Sequence, residues 1–174
     1  FKLPNSLSYE EAALAEPTGC CIRGIDRLGI HFDDSTLVVG AGPAGLTYVR
    51  LLRELGAGLI IATDVLSSRL EWAKKFGADE TFDATVNDSR GQILELTEGR
   101  GVDNVIVASG NVKAIETSFP LVRKGGKILL FGIPPEGSVF SCDASNVFIR
   151  EIKLIPSYST TENEIERALE MFET

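Results

Sequence analysis

The sequence predicts an α/β fold: a doubly wound, parallel, six-stranded sheet in the strand order 3-2-1-4-5-6. From Thr36 onward, short apolar runs alternate with helical patterns, and parallel neighbouring strands need such helical crossovers between them. The run at 103–108 is apolar almost throughout, as expected for a strand that helices cover on both faces. A chain of 174 residues has the size of one domain. We therefore expect a single domain over 1–174.

The elements can be placed from caps, prolines, glycines and apolar spacing. A capping box at Ser8–Glu11 begins a leading helix over about 9–28, in which Pro17 predicts a kink or break near Glu16. Strands are predicted at 36–39, 59–63, 80–82, 103–108, 127–131 and 152–155. Helices are predicted at 43–55, 67–76 with Ser67 or Ser68 as N-cap, 88–97, 111–122 and 162–172. The alternating stretch 138–142 fits either an edge strand or a loop.

Charge and composition exclude several classes of partner. The net charge of −8 argues against nucleic acid or an anionic membrane surface, because both attract clustered cations. No apolar run approaches the ~18 residues that span a bilayer, and no signal segment opens the chain, so we expect a cytoplasmic protein. Cys20, Cys21, Cys142 and the single His31 form neither a disulfide pattern nor a cluster of metal ligands.

A glycine motif follows the first predicted strand. Leu37–Gly45 reads Leu-Val-Val-Gly-Ala-Gly-Pro-Ala-Gly. In such a motif Gly40 permits the tight turn, Gly42 lets backbone N–H groups approach a pyrophosphate, and Gly45 lets the next helix pack closely on the sheet. Pro43 suits the first turn of that helix, whose N-terminus attracts anions. The motif predicts a dinucleotide site, the alternative being a glycine-rich turn without a ligand.

An acid ends the second predicted strand. At this place Asp64 can accept hydrogen bonds from the ribose hydroxyls of an adenosine, or it can simply cap the next helix. Its charge would repel a 2′-phosphate, and Val65 supplies no cation, so the sequence favours NAD over NADP. Arg69 either reaches the same ribose or is a solvated helix arginine. Flavoproteins share a similar motif, but there it usually lies near the start of the domain and the acid is more often Glu.

Taken together, these features resemble the zinc-containing sorbitol and alcohol dehydrogenase branch of the medium-chain dehydrogenase/reductase superfamily. The resemblance covers essentially every residue and rests on the order and spacing of short segments. These segments are Ser8–Ala13, Glu16–Cys20, Gly40–Leu46, Thr63–Asp64, Arg69–Leu70, Phe76–Asp79, Gly125–Lys127 and Gly132–Pro134.

The resemblance implies a set of cofactor-binding residues that follow the carboxyl ends of the strands. They are Gly40, Gly42, Pro43, Ala44 and Gly45 in the loop, Asp64, Val65 and Arg69 at the adenosine end, and Ala108, Ser109, Phe131, Ile133 and residues 156–158 with Tyr158 at the nicotinamide end.

The resemblance also implies zinc, which would belong to a full-length parent enzyme. Glu16 would look toward that zinc, as a group beyond the ligands or an occasional ligand; the alternative is a surface or capping carboxylate. The separate domain that supplies Cys, His and often Glu to the catalytic zinc is not among the 174 residues. We therefore expect the cofactor-binding domain of a longer enzyme, without catalytic residues of its own and inactive when isolated.

The parent would transfer hydride reversibly between an alcohol or polyol and the nicotinamide, as a dimer or tetramer. Two other functions fit part of the sequence. A non-enzymatic dinucleotide sensor would use the same fold but leaves the Glu16–Pro17 helix unexplained. Methyl transfer from S-adenosylmethionine uses a similar sheet, but Pro43 in the turn and Gly125–Gly126 before the fifth strand disfavour it.

Overall fold

A computed structural model describes residues 3–86 and 89–173. Within these ranges the helices are α1 (Tyr9–Ala12), α2 (Ala15–Leu28), α3 (Pro43–Glu54), α4 (Ser67–Phe76), α5 (Ser89–Leu96), α6 (Val112–Ser118), α7 (Ala144–Ile149) and α8 (Glu162–Phe172). The strands are β1 (Thr36–Val39), β2 (Ile60–Asp64), β3 (Glu80–Asp83), β4 (Val102–Val107), β5 (Val122–Leu130) and β6 (Lys153–Pro156). Asp88, the predicted start of the helix that corresponds to α5, lies outside the described residues.

The strands form a six-stranded parallel sheet in the order β3-β2-β1-β4-β5-β6, which confirms the predicted fold class and strand order. The carboxyl ends of the inner strands lie level. Val39 is opposite both Thr63 and Val107, and Leu130 is opposite both Val107 and Pro156. The strand order reverses between β1 and β4, and open α/β sheets bind ligands in the crevice at such a point.

The leading helix is divided into two. Ser8 begins α1 through the predicted capping box: its Oγ accepts from the N–H of Glu11 at 3.2 Å, and the Glu11 carboxylate accepts from the N–H of Ser8 at 2.8 Å. The helix ends at Ala12, and α2 begins at Ala15. Pro17 therefore lies in the first turn of α2. Backbone N–H groups in the first turn have no hydrogen-bond partner within the helix, so the N–H that proline lacks is not missed there. The predicted interruption is therefore a break, and it precedes Glu16.

The predicted cap of α4 is wrong. Leu66 holds the N-cap position without a side-chain hydrogen bond, and Ser67 is already the first helical residue. The cap comes from the preceding strand instead, because the Asp64 carboxylate accepts from the N–H of Leu66 at 3.0 Å. Asp64, at the end of β2 and two residues before the N-cap, therefore caps α4 in place of the predicted serine.

Strand β5 begins earlier than predicted because it contains a bulge. Its pairing with β4 shifts from Val102 opposite Val122 to Asn104 opposite Lys127. Gly125, with a φ of 72°, lies in the extra segment, and a positive φ is readily adopted by glycine. The helix α6 accordingly ends at Ser118, short of the predicted boundary.

Of the two alternatives for 138–142, the structure shows the loop and not the edge strand. The Phe140 ring stacks on Phe119, with centroids 6.2 Å apart, and the N–H of Ser141 donates to the Glu116 carboxylate at 3.0 Å. These contacts attach the segment to the end of α6. It leads into α7, a helix that the sequence analysis missed, whose N-cap is Asp143. The dimer or tetramer stays a prediction.

Apolar side chains pack on both faces of the sheet in two clusters. The first includes residues of α2, α3 and α8, and the second includes residues of α5 and α6. Tyr48 of α3 is fully buried in the first cluster, and its ring meets Phe131 edge-on with centroids 5.0 Å apart. Within the described ranges, no helix is both long enough and apolar enough to cross a membrane.

Polar side chains tie β1 to β4 at the amino edge of the sheet. The Asp103 carboxylate accepts from the N–H of Ser35 at 2.8 Å, from the Ser35 hydroxyl and from the Arg123 guanidinium. Partial burial opposes ionisation, but hydrogen bonds from Ser35 and Arg123 outweigh it and lower the pKa of Asp103. A carboxyl whose pKa is lower in the folded state stabilises the fold above its unfolded pKa, and this stabilisation is lost as the pH falls through the folded value.

We therefore expect Asp103→Asn to weaken the acid dependence of stability. The wild-type free energy of unfolding should fall as the pH drops below about 4, and the variant should show a smaller fall. Urea denaturation at a series of pH values between about 3 and 7 measures this. Glu95→Gln, at an exposed position of α5, is the control. Parallel pH profiles for wild type and Asp103→Asn would contradict the assignment.

Candidate functional site

The glycine loop joins β1 to α3 where the strand order reverses. Gly40 has a φ of 97°, a conformation that favours glycine, and its N–H donates to Thr63 of β2 at 2.8 Å. Gly42 is the N-cap of α3 and Pro43 its first residue. The first i→i−4 hydrogen bond of α3 runs from the N–H of Leu46 to the Gly42 carbonyl, at 2.9 Å. The backbone N–H groups that precede Leu46 in the first turn have no helical partner, and such groups at a helix N-terminus can bind an anion.

The second and third glycines of the motif have opposite surroundings. A Cβ added to Gly45 would overlap the Gly40 carbonyl oxygen and lie 2.9 Å from its carbon. A Cβ on Gly42 would meet nothing within 4 Å. Gly45 therefore keeps α3 close to the loop, whereas Gly42 leaves open space above the backbone at the start of the helix.

Asp64 fastens this loop to the end of β2. The residue is only 6% exposed. Its Oδ2 accepts from the N–H of Ala41 in the loop at 2.8 Å and lies 3.4 Å from the Arg69 guanidinium. Its Oδ1 accepts from the N–H of Leu66 at 3.0 Å. An ionised carboxylate has about four acceptor positions, so these contacts leave room for one further donor, such as a ribose hydroxyl.

The residues after Asp64 supply surface to the same end of the crevice. Val65 and Leu66 are exposed, and Arg69 is about half-exposed, so its guanidinium retains donors besides the one that faces Asp64. The structure thus brings Asp64, Val65 and Arg69 together beside the glycine loop. Their contact with an adenosine remains a prediction.

The loop after β4 lies against the glycine loop. The N–H of Ala108 donates to Val39 at 2.9 Å. A Cβ on Gly40 would lie 3.3 Å from both the Ala108 carbonyl oxygen and the Ser109 Cβ. Ala108 and Ser109 therefore border the crevice on the far side of β1 from Asp64.

The end of β5 continues this border. Phe131 and Gly132 both donate their N–H groups to Val107, and the backbone at Gly132 approaches Ser109 too closely for any side chain at 132. The Ile133 side chain is 72% exposed and free of the core. The Phe131 ring instead packs on the buried Tyr48. Tyr158, after β6, is 79% exposed. Their predicted contacts with a nicotinamide remain predictions.

Glu16 lies exposed in the first turn of α2, one helical turn before Cys20. The Cys20 thiol donates to the Glu16 carboxylate at 3.2 Å. Burial and then this hydrogen bond raise the pKa of Cys20 to about 11, so the thiol stays protonated at neutral pH. Among the described residues, no group of three or more His, Cys, Asp or Glu is arranged to hold a metal.

Sequence reasoning missed several residues that build the site. Ala41 and Leu66 act through backbone N–H groups, which leave no trace in side-chain patterns. Gly110 and Gly132 are required by the close approach of the loops after β4 and β5. Only the glycines carried a signal, because each lies shortly after a predicted strand.

Comparison with known proteins agrees with this geometry. The family described as zinc-binding dehydrogenase matches residues 43–174. D-arabitol-phosphate dehydrogenase of Enterococcus avium is 38% identical over 90% of this chain and 45% of its own length. Sorbitol dehydrogenase of Bacillus subtilis is 38% identical over 80% of this chain and 39% of its own. The chain thus spans less than half the length of these relatives.

Solved structures show the same fold. The alcohol dehydrogenase TADH from Thermus sp. ATN1 superposes with a TM-score of 0.91 at 27% identity, over 98% of this chain and 49% of that one. A zinc-binding dehydrogenase from Sinorhizobium meliloti 1021, bound to NADP, gives 0.90 at 26% identity, over 98% and 50%. With the family match over most of the chain, the glycine loop and its strand-end acid show that the chain belongs to the zinc-binding dehydrogenase family, in its sorbitol and alcohol dehydrogenase-like branch.

Proposed function

We propose that this chain is the NAD-binding domain of a dehydrogenase that acts on an alcohol or polyol. The observation that carries the proposal is Asp64, a buried carboxylate that fastens the glycine loop at Ala41 while it keeps an acceptor position open. In a parallel sheet this arrangement, at the reversal of strand order, is typical of dinucleotide binding.

The loop and the acid suit the two halves of such a ligand. The N–H groups at the start of α3, with the open space above Gly42, would hold the pyrophosphate. Asp64 would accept from the adenosine ribose, with Val65 and Leu66 as an apolar surface for the base. The exposed Ile133 and Tyr158 would border the nicotinamide. A bound nicotinamide supplies the hydride chemistry, and this chain supplies its position and electrostatic surroundings.

The preference for NAD over NADP follows from charge. A 2′-phosphate would lie beside the buried Asp64 carboxylate, and Val65 offers no compensating cation. Arg69 is nearby, but its guanidinium already faces Asp64 at 3.4 Å. The relative from Sinorhizobium meliloti is bound to NADP, so a direct comparison of both cofactors is needed for this chain.

The proposal of an alcohol or polyol substrate and of a zinc ion is supported by the relatives, which are polyol and alcohol dehydrogenases. Since the described residues do not form a zinc site, the catalytic zinc of such an enzyme would be held by a part of the protein outside this domain. We infer that the domain alone binds cofactor and has no alcohol dehydrogenase activity.

A thermal-shift panel with NAD, NADP, FAD and S-adenosylmethionine tests the proposal. A ligand that binds only the folded state adds about 2.7 kcal/mol at a concentration of 100 times its Kd, which raises Tm by about 5 °C or more for a domain of this size. We expect NAD to give the largest shift and NADP a smaller one. A larger shift with FAD or S-adenosylmethionine, or none with NAD, would overturn the proposed function.

A further inference from the structure

Cys21 of α2 contacts the start of α3 through its thiol. The residue is 1% exposed, and its Sγ donates to the Ala44 carbonyl oxygen at 3.8 Å. Burial raises the pKa of Cys21 to about 12, so the thiol keeps its proton at neutral pH and remains a donor. A carbonyl oxygen has two lone pairs, so it can accept this thiol in addition to a helical N–H. Cys21 is thus a donor from outside α3 to the first turn of that helix.

Close packing of α2 on α3 holds this contact in place. A Cβ added to Gly24, about one turn after Cys21, would overlap the Tyr48 hydroxyl. Tyr48 lies one turn after Ala44 and is fully buried. The two helices therefore meet at consecutive turns, and the core fixes the position of the thiol relative to the Ala44 carbonyl.

The Ala44 carbonyl belongs to the same peptide group as the Gly45 N–H. A peptide group is planar and almost always trans, so its C=O and N–H bonds point in opposite directions. In a helix the N–H bonds point toward the N-terminus. A hydrogen bond to the Ala44 carbonyl therefore fixes the direction of the Gly45 N–H. It also polarises this N–H, because hydrogen bonds in series strengthen one another.

Few N–H groups remain free at the start of α3. Leu46 already donates to Gly42, and Pro43, the first residue of the helix, has no N–H. The first turn therefore offers the N–H groups of Ala44 and Gly45 to an anion. The peptide group that Cys21 holds supplies one of these two donors.

We propose that Cys21 is a positioning residue for the pyrophosphate of a bound dinucleotide, an inference that rests on the proposed function. Its thiol holds the Ala44 carbonyl and so directs the Gly45 N–H at the phosphate oxygens. Since the side chain is buried in the core, it acts through this peptide group and not by direct contact with the ligand.

Comparison of Cys21→Ala with Cys21→Ser tests this on the full chain. Both variants lose the buried sulfur atom, but only serine retains a donor. Loss of one weak hydrogen bond should weaken binding of NAD, and of ADP-ribose, which keeps the pyrophosphate, roughly 3- to 5-fold in Cys21→Ala. Cys21→Ser should bind both ligands within about 2-fold of wild type. Calorimetric titration measures these affinities.

The amide proton of Gly45 gives a second readout that needs no ligand. A hydrogen bond at the carbonyl of a peptide group polarises its N–H and deshields the amide proton. We therefore expect the Gly45 amide resonance to move upfield in Cys21→Ala and to return toward its wild-type position in Cys21→Ser. A proton–nitrogen correlation spectrum of each protein measures this, and a purely structural role of the sulfur atom would not produce the recovery.

Cys20→Ala is the matched control. Cys20 is the neighbouring residue on α2, and its thiol donates to the Glu16 carboxylate at 3.2 Å and not to α3. The affinity of this variant for both ligands and its Gly45 amide resonance should match wild type.

The outcomes separate this inference from the proposed function. Wild-type affinity for NAD in Cys21→Ala, or an unshifted Gly45 resonance, would overturn the role of Cys21 and leave the proposed function intact. Equal weakening in Cys21→Ala and Cys21→Ser would also overturn it, since the loss would then come from the packing of the sulfur atom. If wild type binds neither ligand, the proposed function fails and this inference fails with it.

Discussion

Gly42→Ala should lose NAD affinity, by roughly 10-fold or more, while the stability of the unliganded domain changes little. Gly42 has a φ of −71° and a ψ of −173°, an extended conformation open to any residue, and a Cβ there would meet nothing within 4 Å. The fold therefore has no need of glycine at this position. The space is needed only by a ligand that approaches the backbone at the start of α3. Calorimetric titration with NAD and a thermal melt without ligand measure the two effects separately.

Gly45→Ala is the matched control, with the same chemical change three residues further on, in the first turn of α3. Its Cβ would overlap the Gly40 carbonyl oxygen, and that contact is with backbone. Overpacking of this kind costs about 1–3 kcal/mol. We therefore expect the free energy of unfolding to fall by about 1 kcal/mol or more. A pair of variants that both melt early, or a Gly42→Ala protein that binds NAD as well as wild type, would refute the division of roles between the two glycines.

Much of the fold is predictable because its signals are local. Apolar runs marked every strand except β3, whose sequence Glu-Thr-Phe-Asp is mostly polar, and the βα alternation with the glycine turn indicated the strand order. The capping box at Ser8 and the helix stop at Gly77, with its φ of 114°, also follow from short sequence patterns. These features depend on residues within a few positions of one another, which is the range over which sequence patterns report conformation.

Two of the departures from the sequence analysis depend on distant contacts, and one is local. The cap of α4 comes from Asp64, which also serves the loop at Ala41. The segment at 138–142 alternates like a strand, but Phe140 and Ser141 attach it to α6. The bulge in β5 depends on the register with β4. In the loop and the bulge, tertiary contacts override a plausible local pattern, whereas α4 is capped by a residue only two positions before its N-cap.

The glycines and Asp64 were identified as candidate site residues from the sequence, but the coupling between them was not. Asp64 was considered either as a ribose acceptor or as a helix cap. The structure shows the cap, together with a direct bond to the loop. Both functions can coexist, because one carboxylate has enough acceptor positions for two N–H groups, a guanidinium and a ribose hydroxyl.

Asp64→Asn is expected to change both stability and cofactor choice. The amide retains one oxygen acceptor, so either Ala41 or Leu66 loses its partner. An unpaired buried N–H costs about 1–3 kcal/mol, and the unfolding free energy should fall by an amount in that range. NAD affinity should also fall, because a carboxylate acceptor forms stronger hydrogen bonds than an amide oxygen. The affinity ratio of NADP to NAD should rise, since the charge that repels a 2′-phosphate is gone and Arg69 is released from its ion pair.

Asp83→Asn provides the comparison, because Asp83 ends β3 directly opposite Asp64 and its carboxylate accepts from the nearby Thr85. This variant loses a strand-end charge of the same sign without a bond to the glycine loop, and we expect its NADP-to-NAD ratio to match wild type. Urea denaturation and titration with both cofactors give the two readouts for each variant. A raised ratio in both variants would mean that cofactor choice follows the general negative charge at this edge of the sheet. A raised ratio in Asp64→Asn alone would assign it to the carboxylate that also holds the loop.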